Sequence, residues 1–346
     1  MQESRVFFGG PDRSPGYLGE ILAERIAAVP AGGEILWSTY YFRSKRLAES
    51  LVAAFRRGVR VTLCLEAKPR QRQANDEVIG LFERAGGLGG GFRAVSELFP
   101  AHLHEKIYFF SHPSPVALVG SFNPSDDRSE SDDDAALIGE IGDQDHGHNC
   151  LVEIHEPTIV ESLRRHVGQL REARQSVLHR FEPAANAVIE SGPIKLGFFP
   201  RRSSAIFLDC LRAPGLHRIR IAASHFRDPS AARILARQVA AGGKVEVIAH
   251  DTVRRFPVAV ENVCRRAGMD VRRYRHPLGY PMHCKFILLE GADMRRSVFG
   301  SMNLTRTSRW LNHEVLVQSD EPSVFSQFER RWQEIGMEMQ GFERSA

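Results

Sequence analysis

The sequence repeats one order of secondary structure in its two halves, which limits the folds that it can adopt. In each half a short apolar run is followed by a helical pattern rich in alanine and leucine, and then by a second apolar run. These segments are 35–39, 47–55 and 58–63 in the first half and 219–223, 231–241 and 243–248 in the second. A glycine separates each helical pattern from the strand after it, as is common where helices end. Both halves therefore read as strand, helix, strand.

This repeat predicts an α/β protein with a largely parallel sheet in each half. A helix that joins two neighbouring strands of one sheet forms a right-handed crossover, and the two strands are then parallel. A helical pattern at 159–175 closes the first half, and a strand pattern at 194–198 opens the second. We therefore predict domains at 1–182 and 193–346, with the join between them.

A second repeat carries the chemistry. Each half contains a His-x-Lys motif, at 104–106 and at 283–285, and later a Gly-Ser-x-Asn motif, at 120–123 and at 300–303. The histidine and the asparagine are 19 residues apart in the first half (104 to 123) and 20 residues apart in the second (283 to 303). A single His-x-Lys would indicate an ordinary exposed strand, but two matched pairs of motifs do not arise readily by chance. The repeat therefore indicates a catalytic site.

The side chains of these motifs suit a phosphodiester substrate. On a strand, residues i and i+2 point to one face, so the histidine and the lysine of each motif project together. Lysine, hydroxyl and amide groups stabilise charge on phosphate oxygens in the transition state, and a glycine lets the backbone approach a ligand closely. One imidazole can attack phosphorus and the other can protonate the leaving oxygen, so no metal or other cofactor is required. The predicted catalytic residues are His104, Lys106, His283 and Lys285, and the predicted substrate-binding residues are Ser121, Asn123, Ser301 and Asn303.

A nucleophilic histidine also needs an acceptor that orients its second ring nitrogen. Glu314, downstream of the second motif, is the predicted partner of His283 and is counted with the catalytic residues. Counting back from the Glu-Pro pairs at 156–157 and 321–322 places Asn149 at the corresponding position of the first half. Asparagine accepts a hydrogen bond but carries no charge, so the two histidines are expected to differ in basicity.

The doubled His-x-Lys and Gly-Ser-x-Asn motifs resemble those of the phospholipase D superfamily, and the resemblance covers nearly the whole chain. It implies two α/β/α sandwich halves with mixed sheets, related by a pseudo-twofold axis, and one active site between them. It also implies that His104 is the nucleophile and His283 the general acid. The superfamily includes phospholipases D, cardiolipin synthases, phosphatidylserine synthases, nucleases and a DNA-repair phosphodiesterase.

The chain departs from the superfamily pattern at three positions. The aspartate that follows each motif lysine by five residues is Ser111 in the first half and Glu290 in the second. Because that aspartate is largely structural in the superfamily, catalysis is expected to survive both changes. The third departure, Asn149, leaves open an exchange of roles in which His283 is the nucleophile.

Other residues near the motifs have less specific interpretations. Four histidines without a lysine two residues later are interpreted as supporting or surface side chains: His102, His148, His225 and His313. Tyr40, Tyr41 and Phe42 follow a predicted strand and either line a substrate pocket or pack in the core. The acidic stretch 124–146 is interpreted as a solvated loop, since it lacks the ligand spacing of an EF-hand calcium site. The arginines within 265–275 form a solvated face or contact an anionic surface.

Composition limits the function only weakly. The chain of 346 residues has a formal net charge of +4, too small by itself to indicate a nucleic-acid partner. The five cysteines form no Cys-x-x-Cys pair, so neither a disulfide framework nor a zinc site is expected. Neither a secretory signal nor a run of about 18 apolar residues is present. We therefore expect a cytoplasmic protein, with peripheral contact to a membrane left open.

Three functions fit this chemistry. The first, which the residues favour, is a metal-independent phosphodiesterase or phosphatidyl transferase that acts on phospholipids through a phosphohistidine. The second is a nuclease, which the acidic stretch beside Asn123 disfavours because it would repel a polyanion. The third is a non-catalytic scaffold that binds a phosphate-bearing partner. No obligate protein partner is expected, because one chain carries both motifs.

Overall fold

The computed structural model describes residues 3–96, 100–125, 146–172 and 186–345. They form two β-sheets with helices on both faces of each, which confirms the predicted α/β sandwich halves. The strands are β1 Arg5–Gly9, β2 Glu34–Thr39, β3 Arg60–Glu66, β4 Phe92–Val95, β5 Ile107–Phe110, β6 Val116–Gly120, β7 Asn149–Ile154, β8 Ile189–Ser191, β9 Ile194–Phe199, β10 Leu216–Ala223, β11 Lys244–His250, β12 Asp270–Tyr274, β13 Lys285–Gly291, β14 Arg295–Gly300 and β15 Glu314–Ser319. The helices are α1 Tyr17–Ala28, α2 Lys45–Arg56, α3 Asp76–Arg84, α4 Pro157–Glu172, α5 Ala205–Arg212, α6 Pro229–Ala240, α7 Val258–Arg266, α8 Arg306–Trp310 and α9 Pro322–Ser345, with single helical turns at Arg72–Asn75 and Gly87–Gly90.

The two sheets repeat one strand order. The first runs β4-β3-β2-β5-β6-β7-β1, and the second runs β12-β11-β10-β13-β14-β15-β9 with β8 added at its edge. Each begins with the strand–helix–strand unit that the sequence predicts, β2-α2-β3 in the first half and β10-α6-β11 in the second. The strand after each His-x-Lys motif lies next to the first strand of that unit. The sequence repeat is therefore also a structural repeat.

The prediction that the sheets are largely parallel is wrong, because they are mixed and mostly antiparallel. Among the described strands, the parallel pairs are β2–β3, β3–β4, β10–β11 and β11–β12. The strands after each motif are joined by the short loops 111–115 and 292–294. Loops of this length reverse the chain, whereas a parallel connection needs a crossover of a dozen or more residues. Crossover helices therefore impose parallel pairing on only one side of each sheet.

The two halves share one continuous core. Helices α1 to α3 cover the outer face of the first sheet, and α5 to α7 cover the outer face of the second. The inner faces pack around α4 and α9 in a single apolar cluster with residues from both halves. The predicted division into 1–182 and 193–346 remains a prediction, since residues 173–185 near the join lie outside the described residues.

The two crossover helices begin and end with local signals that their sequences supply. Ser44 caps α2 by accepting a hydrogen bond from the backbone N–H of Leu47, and Asp228 caps α6 by accepting one from Ser230. Gly58 and Gly242 follow the helices with φ of +91° and +93°, in the left-handed region that glycine adopts without strain. Each glycine therefore ends its helix just before the next predicted strand, β3 or β11.

The two positions that depart from the superfamily aspartate have structural partners. Glu290 accepts a hydrogen bond from the buried Arg220 at 2.7 Å, and Glu329 of α9 accepts a second one at 2.8 Å. Ser111 accepts a hydrogen bond through Oγ from the backbone N–H of Glu34 at 2.7 Å. Both side chains therefore tie strands and helices together at a distance from the motifs.

We expect Arg220→Ala to lower the free energy of unfolding by about 3–5 kcal/mol, because it leaves the carboxylate of Glu290 buried without its cation. The matched control is Arg218→Ala on the same strand, because its partner Glu246 keeps a second ion pair, with Lys244 at 3.1 Å. That change should cost about 1 kcal/mol or less. Urea denaturation of the two variants measures both values, and equal losses would contradict the structural role of Arg220.

Two further predictions concern membrane-spanning segments and the acidic stretch. No helix among the described residues is long and apolar enough to span a bilayer. Of the acidic stretch 124–146, residues 126–145 lie outside the described residues, so the predicted solvated loop stays a prediction.

Candidate active site

Both His-x-Lys motifs face one cavity between the two halves. The cavity is lined by Tyr40, Tyr41, Arg70, His104 and Asn123 of the first half and by His225, Arg254, Arg255, His283 and Asn303 of the second. Each half contributes the motif histidine, the motif asparagine and residues from loops after its parallel strands. The predicted catalytic histidines and both predicted asparagines are therefore brought together.

The prediction that the motif histidines lie on strands is wrong. Strand β5 begins at Ile107, after the whole first motif, and β13 begins only at Lys285. The preceding residues instead form isolated bridges to the other half, so that the backbone N–H of His104 donates to the carbonyl of His313 at 2.9 Å. In the same way the backbone N–H of His283 donates to the carbonyl of His148 at 3.0 Å. Each motif is thus held by the opposite half.

Each motif lysine nevertheless lies beside its own histidine. Lys106 donates through Nζ to the carbonyl oxygen of His104 at 2.6 Å. Lys285 donates to the carbonyl oxygen of His283 at 2.8 Å, and its Nζ lies 3.2 Å from Nε2 of that ring. The histidine and the lysine of each motif therefore lie side by side, as predicted, although the histidine lies outside the strand.

The bridges exchange the orienting partners between halves. Glu314 accepts a hydrogen bond from Nδ1 of His104 at 2.9 Å, and Asn149 pairs through Oδ1 with Nδ1 of His283 at 2.8 Å. The prediction that Glu314 orients His283 is therefore wrong, although the two acceptors do occupy corresponding positions at the starts of β15 and β7. Because each motif pairs with the opposite half, each histidine receives the acceptor of the other repeat.

The two motif serines hold these acceptors in place. Ser121 donates through Oγ to Oδ1 of Asn149 at 3.1 Å and accepts from the backbone N–H of Cys150 at 3.0 Å. Ser301 donates to Oε2 of Glu314 at 2.5 Å and accepts from the backbone N–H of Val315 at 3.0 Å. Both serines are fully buried behind the cavity and are not among its lining residues. Both serines therefore contact the orienting groups, and their predicted contact with substrate stays a prediction.

The motif glycines are required by the close approach of a neighbouring strand, whereas their predicted contact with a ligand stays a prediction. A Cβ atom on Gly120 would lie 2.0 Å from the carbonyl oxygen of Cys150. On Gly300, which has φ of +136°, it would lie 2.2 Å from the carbonyl oxygen of Val315. Any side chain at either position would push away the strand that begins with Asn149 or Glu314.

The two tyrosines after β2 line the cavity and also pack in a small buried cluster, so both predicted roles apply to them. The Tyr40 ring lies 5.4 Å from Nζ of Lys106 and 5.0 Å from the ring of His104, measured to ring centroids. The backbone N–H of Tyr41 donates to Oδ1 of Asn123 at 3.3 Å, which fixes that amide at the cavity wall. Phe42 is fully buried in the outer core instead.

Three arginines on the cavity wall were missed by the sequence reasoning. Arg70 follows β3, and Arg254 and Arg255 follow β11, the second strand of each strand–helix–strand unit. Ligands of open α/β sheets commonly bind beyond the carboxyl ends of parallel strands, so the position of these residues was the available signal.

The other histidines near the motifs have separate positions. His225 lines the cavity, and His102 lies 3.7 Å from a carboxylate oxygen of Glu66. The side chain of His148 is fully buried between Arg331 and Glu338 of α9, each with an atom 2.9 Å from a ring nitrogen. With His313, which bridges to the first motif, they support the site around the two motif histidines.

Burial lowers the pKa of both motif histidines and both motif lysines. The pKa of His104 falls to about 4, mainly through burial, although the charge of Glu314 opposes the fall. Burial, followed by repulsion from Lys285 and Lys106, lowers the pKa of His283 well below its usual value. Burial also lowers the pKa of Lys285 to about 7 and that of Lys106 strongly. A bound anion would favour the charged form of all four groups, because an opposite charge nearby raises the pKa of a cation.

Glu314 keeps its charge in this setting. Burial alone would raise the pKa of its carboxyl group, but the charges of His104 and Lys106 and the hydrogen bonds from His104 and Ser301 lower it below the usual value. The corresponding acceptor of His283 is the neutral Asn149. The two histidines are therefore electrostatically unequal, as the sequence predicted.

We expect Asn149→Asp to raise the pKa of His283 by about 1–3 units, because it places a carboxylate at the position of the amide oxygen that lies 2.8 Å from Nδ1. The change preserves an acceptor for the hydroxyl of Ser121. Titration of the histidine ring signals by NMR measures the shift, with Asn149→Ala as the control that removes the acceptor without adding charge. An unchanged pKa in the aspartate variant would contradict the contact.

A cavity with two His-x-Lys motifs on two repeated mixed sheets defines a protein of the phospholipase D class. The family model described as "Cardiolipin synthase, PLD-like domain" matches residues 28–170 and 209–335, more than half of the chain. The chain therefore belongs to this family within the phospholipase D superfamily, whose members are phosphodiesterases and phosphatidyltransferases.

Solved structures share the fold at low sequence identity. The phosphatidylserine synthase of Haemophilus influenzae Rd KW20 matches with a TM-score of 0.66 and 13% identity over 95% of this chain and 85% of that one. The polyphosphate kinase of Porphyromonas gingivalis matches with a TM-score of 0.64 and 13% identity over 96% of this chain. This chain spans 50% of the length of that kinase. No curated protein sequence matches the chain.

Proposed function

We propose that the protein is a metal-independent phosphodiesterase or phosphatidyl transferase that acts on phospholipids through a phosphohistidine. The observation that carries the proposal is the exchanged pairing, in which two imidazoles, each oriented by the opposite half, line one cavity, and each has a buried lysine hydrogen-bonded to its backbone carbonyl. Such a set supplies a nucleophile, a proton donor and the cations that phosphate oxygens need.

In the first step His104 attacks phosphorus. Its Nδ1–H donates to Glu314, so the lone pair that forms the new bond is on Nε2. As the P–N bond forms, the bond from phosphorus to the leaving oxygen breaks, and that oxygen takes the proton of the protonated His283. Lys106 and Lys285 stabilise the charge on the two non-bridging oxygens, as preorganised donors do in other transition states.

In the second step an acceptor hydroxyl, from water or an alcohol, attacks the phosphohistidine. His283, now neutral, removes the proton of that hydroxyl as the new P–O bond forms and the P–N bond breaks. Water yields a phosphomonoester, and an alcohol yields a new phosphodiester. Both steps return His104 and His283 to their starting protonation states.

The unequal partners support this division of roles over the exchanged one. The carboxylate of Glu314 can stabilise the positive charge that a phosphorylated imidazole carries, whereas the amide of Asn149 cannot. Burial and the charges of Lys285 and Lys106 keep the pKa of His283 low, and a bound phosphate favours the protonated form of this ring, which can then supply the proton to the leaving oxygen. The ring of Tyr40 lies beside both Lys106 and His104.

Two features support a phospholipid as the substrate. The matched family model is described as a cardiolipin synthase domain, and the similar structure from Haemophilus influenzae is a phosphatidylserine synthase. The first-half wall of the cavity presents the rings of Tyr40 and Tyr41 beside the nucleophile, as a substrate with an apolar portion requires. Peripheral contact with a membrane is part of this proposal.

The test is product release from mixed phospholipid vesicles in EDTA, with and without a primary alcohol. We expect turnover without added metal and diversion of part of the product to a new phosphodiester when alcohol is present. His283→Ala is the control that removes the proton donor. Lack of turnover on every lipid, together with cleavage of single-stranded or plasmid DNA, would replace the lipid proposal by the nuclease one.

A further inference from the structure

The two walls of the cavity differ in charge. The chain segments after β2 and β10 correspond, because the backbone N–H groups of Arg43 and Arg227 each donate at 2.8 Å to the carbonyl that follows a motif asparagine. This correspondence places His225 where the first half has Tyr41. The first-half wall is therefore aromatic, whereas the second-half wall carries an imidazole and, beside it, two consecutive arginines, Arg254 and Arg255.

The loop that carries these arginines is firmly held. The backbone N–H of Arg255 donates to Thr252 at 3.0 Å, and its carbonyl accepts from the backbone N–H of Phe226 at 2.9 Å. Arg273 donates to the carbonyl of Phe256 at 2.7 Å and also to the carbonyl of Asp251, so that it bonds both ends of the loop. A loop braced in this way presents its side chains in a fixed position, as a binding site requires.

The first-half loop is held by a different device and supplies less buried charge. The hydroxyl of Tyr40 accepts from the backbone N–H of Arg70 at 2.7 Å, so an aromatic ring of the cavity wall braces this loop. The side chain of Arg70 is exposed, whereas that of Arg255 is 6% exposed and that of Arg254 is half-buried. Of the arginines that line the cavity, the two that are at least half-buried therefore lie on the second-half wall.

This charge exceeds what one phosphodiester needs. A phosphodiester carries a single negative charge, and Lys106 and Lys285 already lie beside the two motif histidines. Burial is the largest cause of the lowered pKa values of His225, His283 and Lys285, and the positive charge of Arg255 lowers each of these pKa values further. Guanidinium groups are suited to phosphate, which they bind through two parallel hydrogen bonds.

We propose that Arg254 and Arg255, with His225, form a second phosphate subsite on the second-half wall. The preferred substrate is then a phosphodiester that carries another phosphate group on the side facing that wall. Its uncharged portion faces Tyr40 and Tyr41. The inference rests on the proposed function only for the position of the scissile phosphate between the two motif histidines.

The test is calorimetric binding in EDTA at constant ionic strength, with three probes: inorganic phosphate, pyrophosphate and propane-1,3-bisphosphate. In the wild-type protein at least one two-phosphate probe should bind about tenfold or more tightly than phosphate. Arg254→Gln and Arg255→Gln should each remove most of that advantage while changing the affinity for phosphate by less than about threefold. Pyrophosphate and propane-1,3-bisphosphate hold their two phosphates at different separations, so the probe that binds more tightly indicates how far the second phosphate site lies from the first.

The matched control is Arg275→Gln, which removes the same charge from the same half. Arg275 is 83% exposed, contacts Asp251 and does not line the cavity, so the two-phosphate advantage should persist. Thermal melts check that each variant folds, and the half-buried position of Arg254 keeps the test valid if Arg255→Gln does not fold. Equal affinities of wild-type protein for all three probes, or an equal loss in the Arg275 control, would overturn the subsite.

Measurements of probe binding and of phospholipid turnover test this inference and the proposed function separately. His104→Ala should retain the two-phosphate advantage without turnover, because the subsite does not use the nucleophile. Phospholipid turnover without any two-phosphate advantage leaves the function intact and removes the subsite. An arginine-dependent advantage without lipid turnover supports the subsite and contradicts the proposed lipid substrate.

Discussion

His283→Ala is expected to accumulate a covalent phosphoenzyme on His104 when it is given a nitrophenyl phosphodiester. A nitrophenolate leaves without a proton, so the first step proceeds without the acid, whereas the second step still needs a base to deprotonate water. Because the base is absent, the adduct should persist long enough for intact-protein mass spectrometry and peptide mapping. The adduct should be labile to acid, as a P–N bond is.

The reciprocal variant, His104→Ala, is expected to form no adduct and to lose about 10⁴-fold or more in kcat. Residual turnover at that level is what binding and the lysines supply without a nucleophile. An adduct on His283 in this variant would reverse the two roles and favour the exchanged mechanism that Asn149 leaves open. Wild-type protein treated in the same way is the control for transient labelling.

Glu314→Gln is the second variant with a large expected effect, a loss of about 10³–10⁴-fold in kcat. Removing the charge of a carboxylate that orients a catalytic histidine has a cost of about this size in hydrolases with a comparable pair. The carboxylate lies 2.9 Å from Nδ1 of His104 and is itself held by Ser301 at 2.5 Å. The glutamine can present its NH₂ group to Nδ1 and so select the tautomer with its proton on Nε2, which has no lone pair for phosphorus.

A spectroscopic readout separates charge from packing in this variant. Loss of the carboxylate should lower the pKa of His104 below its value of about 4, because the charge of Glu314 raises that pKa. The matched control is Ser301→Ala, which keeps the charge but releases one hydrogen bond, with an expected loss of about tenfold. Glu314→Gln with kcat within tenfold of wild type would show that the carboxylate has no catalytic part.

The exchange of partners makes each half dependent on the other. His104 of the first half needs Glu314 of the second, and His283 needs Asn149 of the first. Helices α4 and α9 lie between the two sheets in one apolar core, so the same packing that holds the halves together sets the geometry of both histidines. A folded active site therefore requires both halves.

Much of the fold and the site was already determined by the sequence. The repeated strand–helix–strand pattern predicted β2-α2-β3 and β10-α6-β11, since hydrophobic periodicity, caps and glycine stops are local properties of the chain. The repeated motifs predicted that His104, Lys106, His283 and Lys285 share a site. The spacing from the Glu-Pro pairs correctly matched Asn149 with Glu314 as the first residues of β7 and β15.

Only the tertiary structure decided which residue meets which. The bridges of Leu103 to His313 and of His148 to Met282 join the halves, and they give each histidine the acceptor of the opposite repeat. The same packing buries Ser121 and Ser301 behind the acceptors and brings the loop of Arg254 and Arg255 to the cavity wall. Spacing along the chain fixes neighbours within one half, but contacts across an interface depend on how the two sheets pack, which no local pattern encodes.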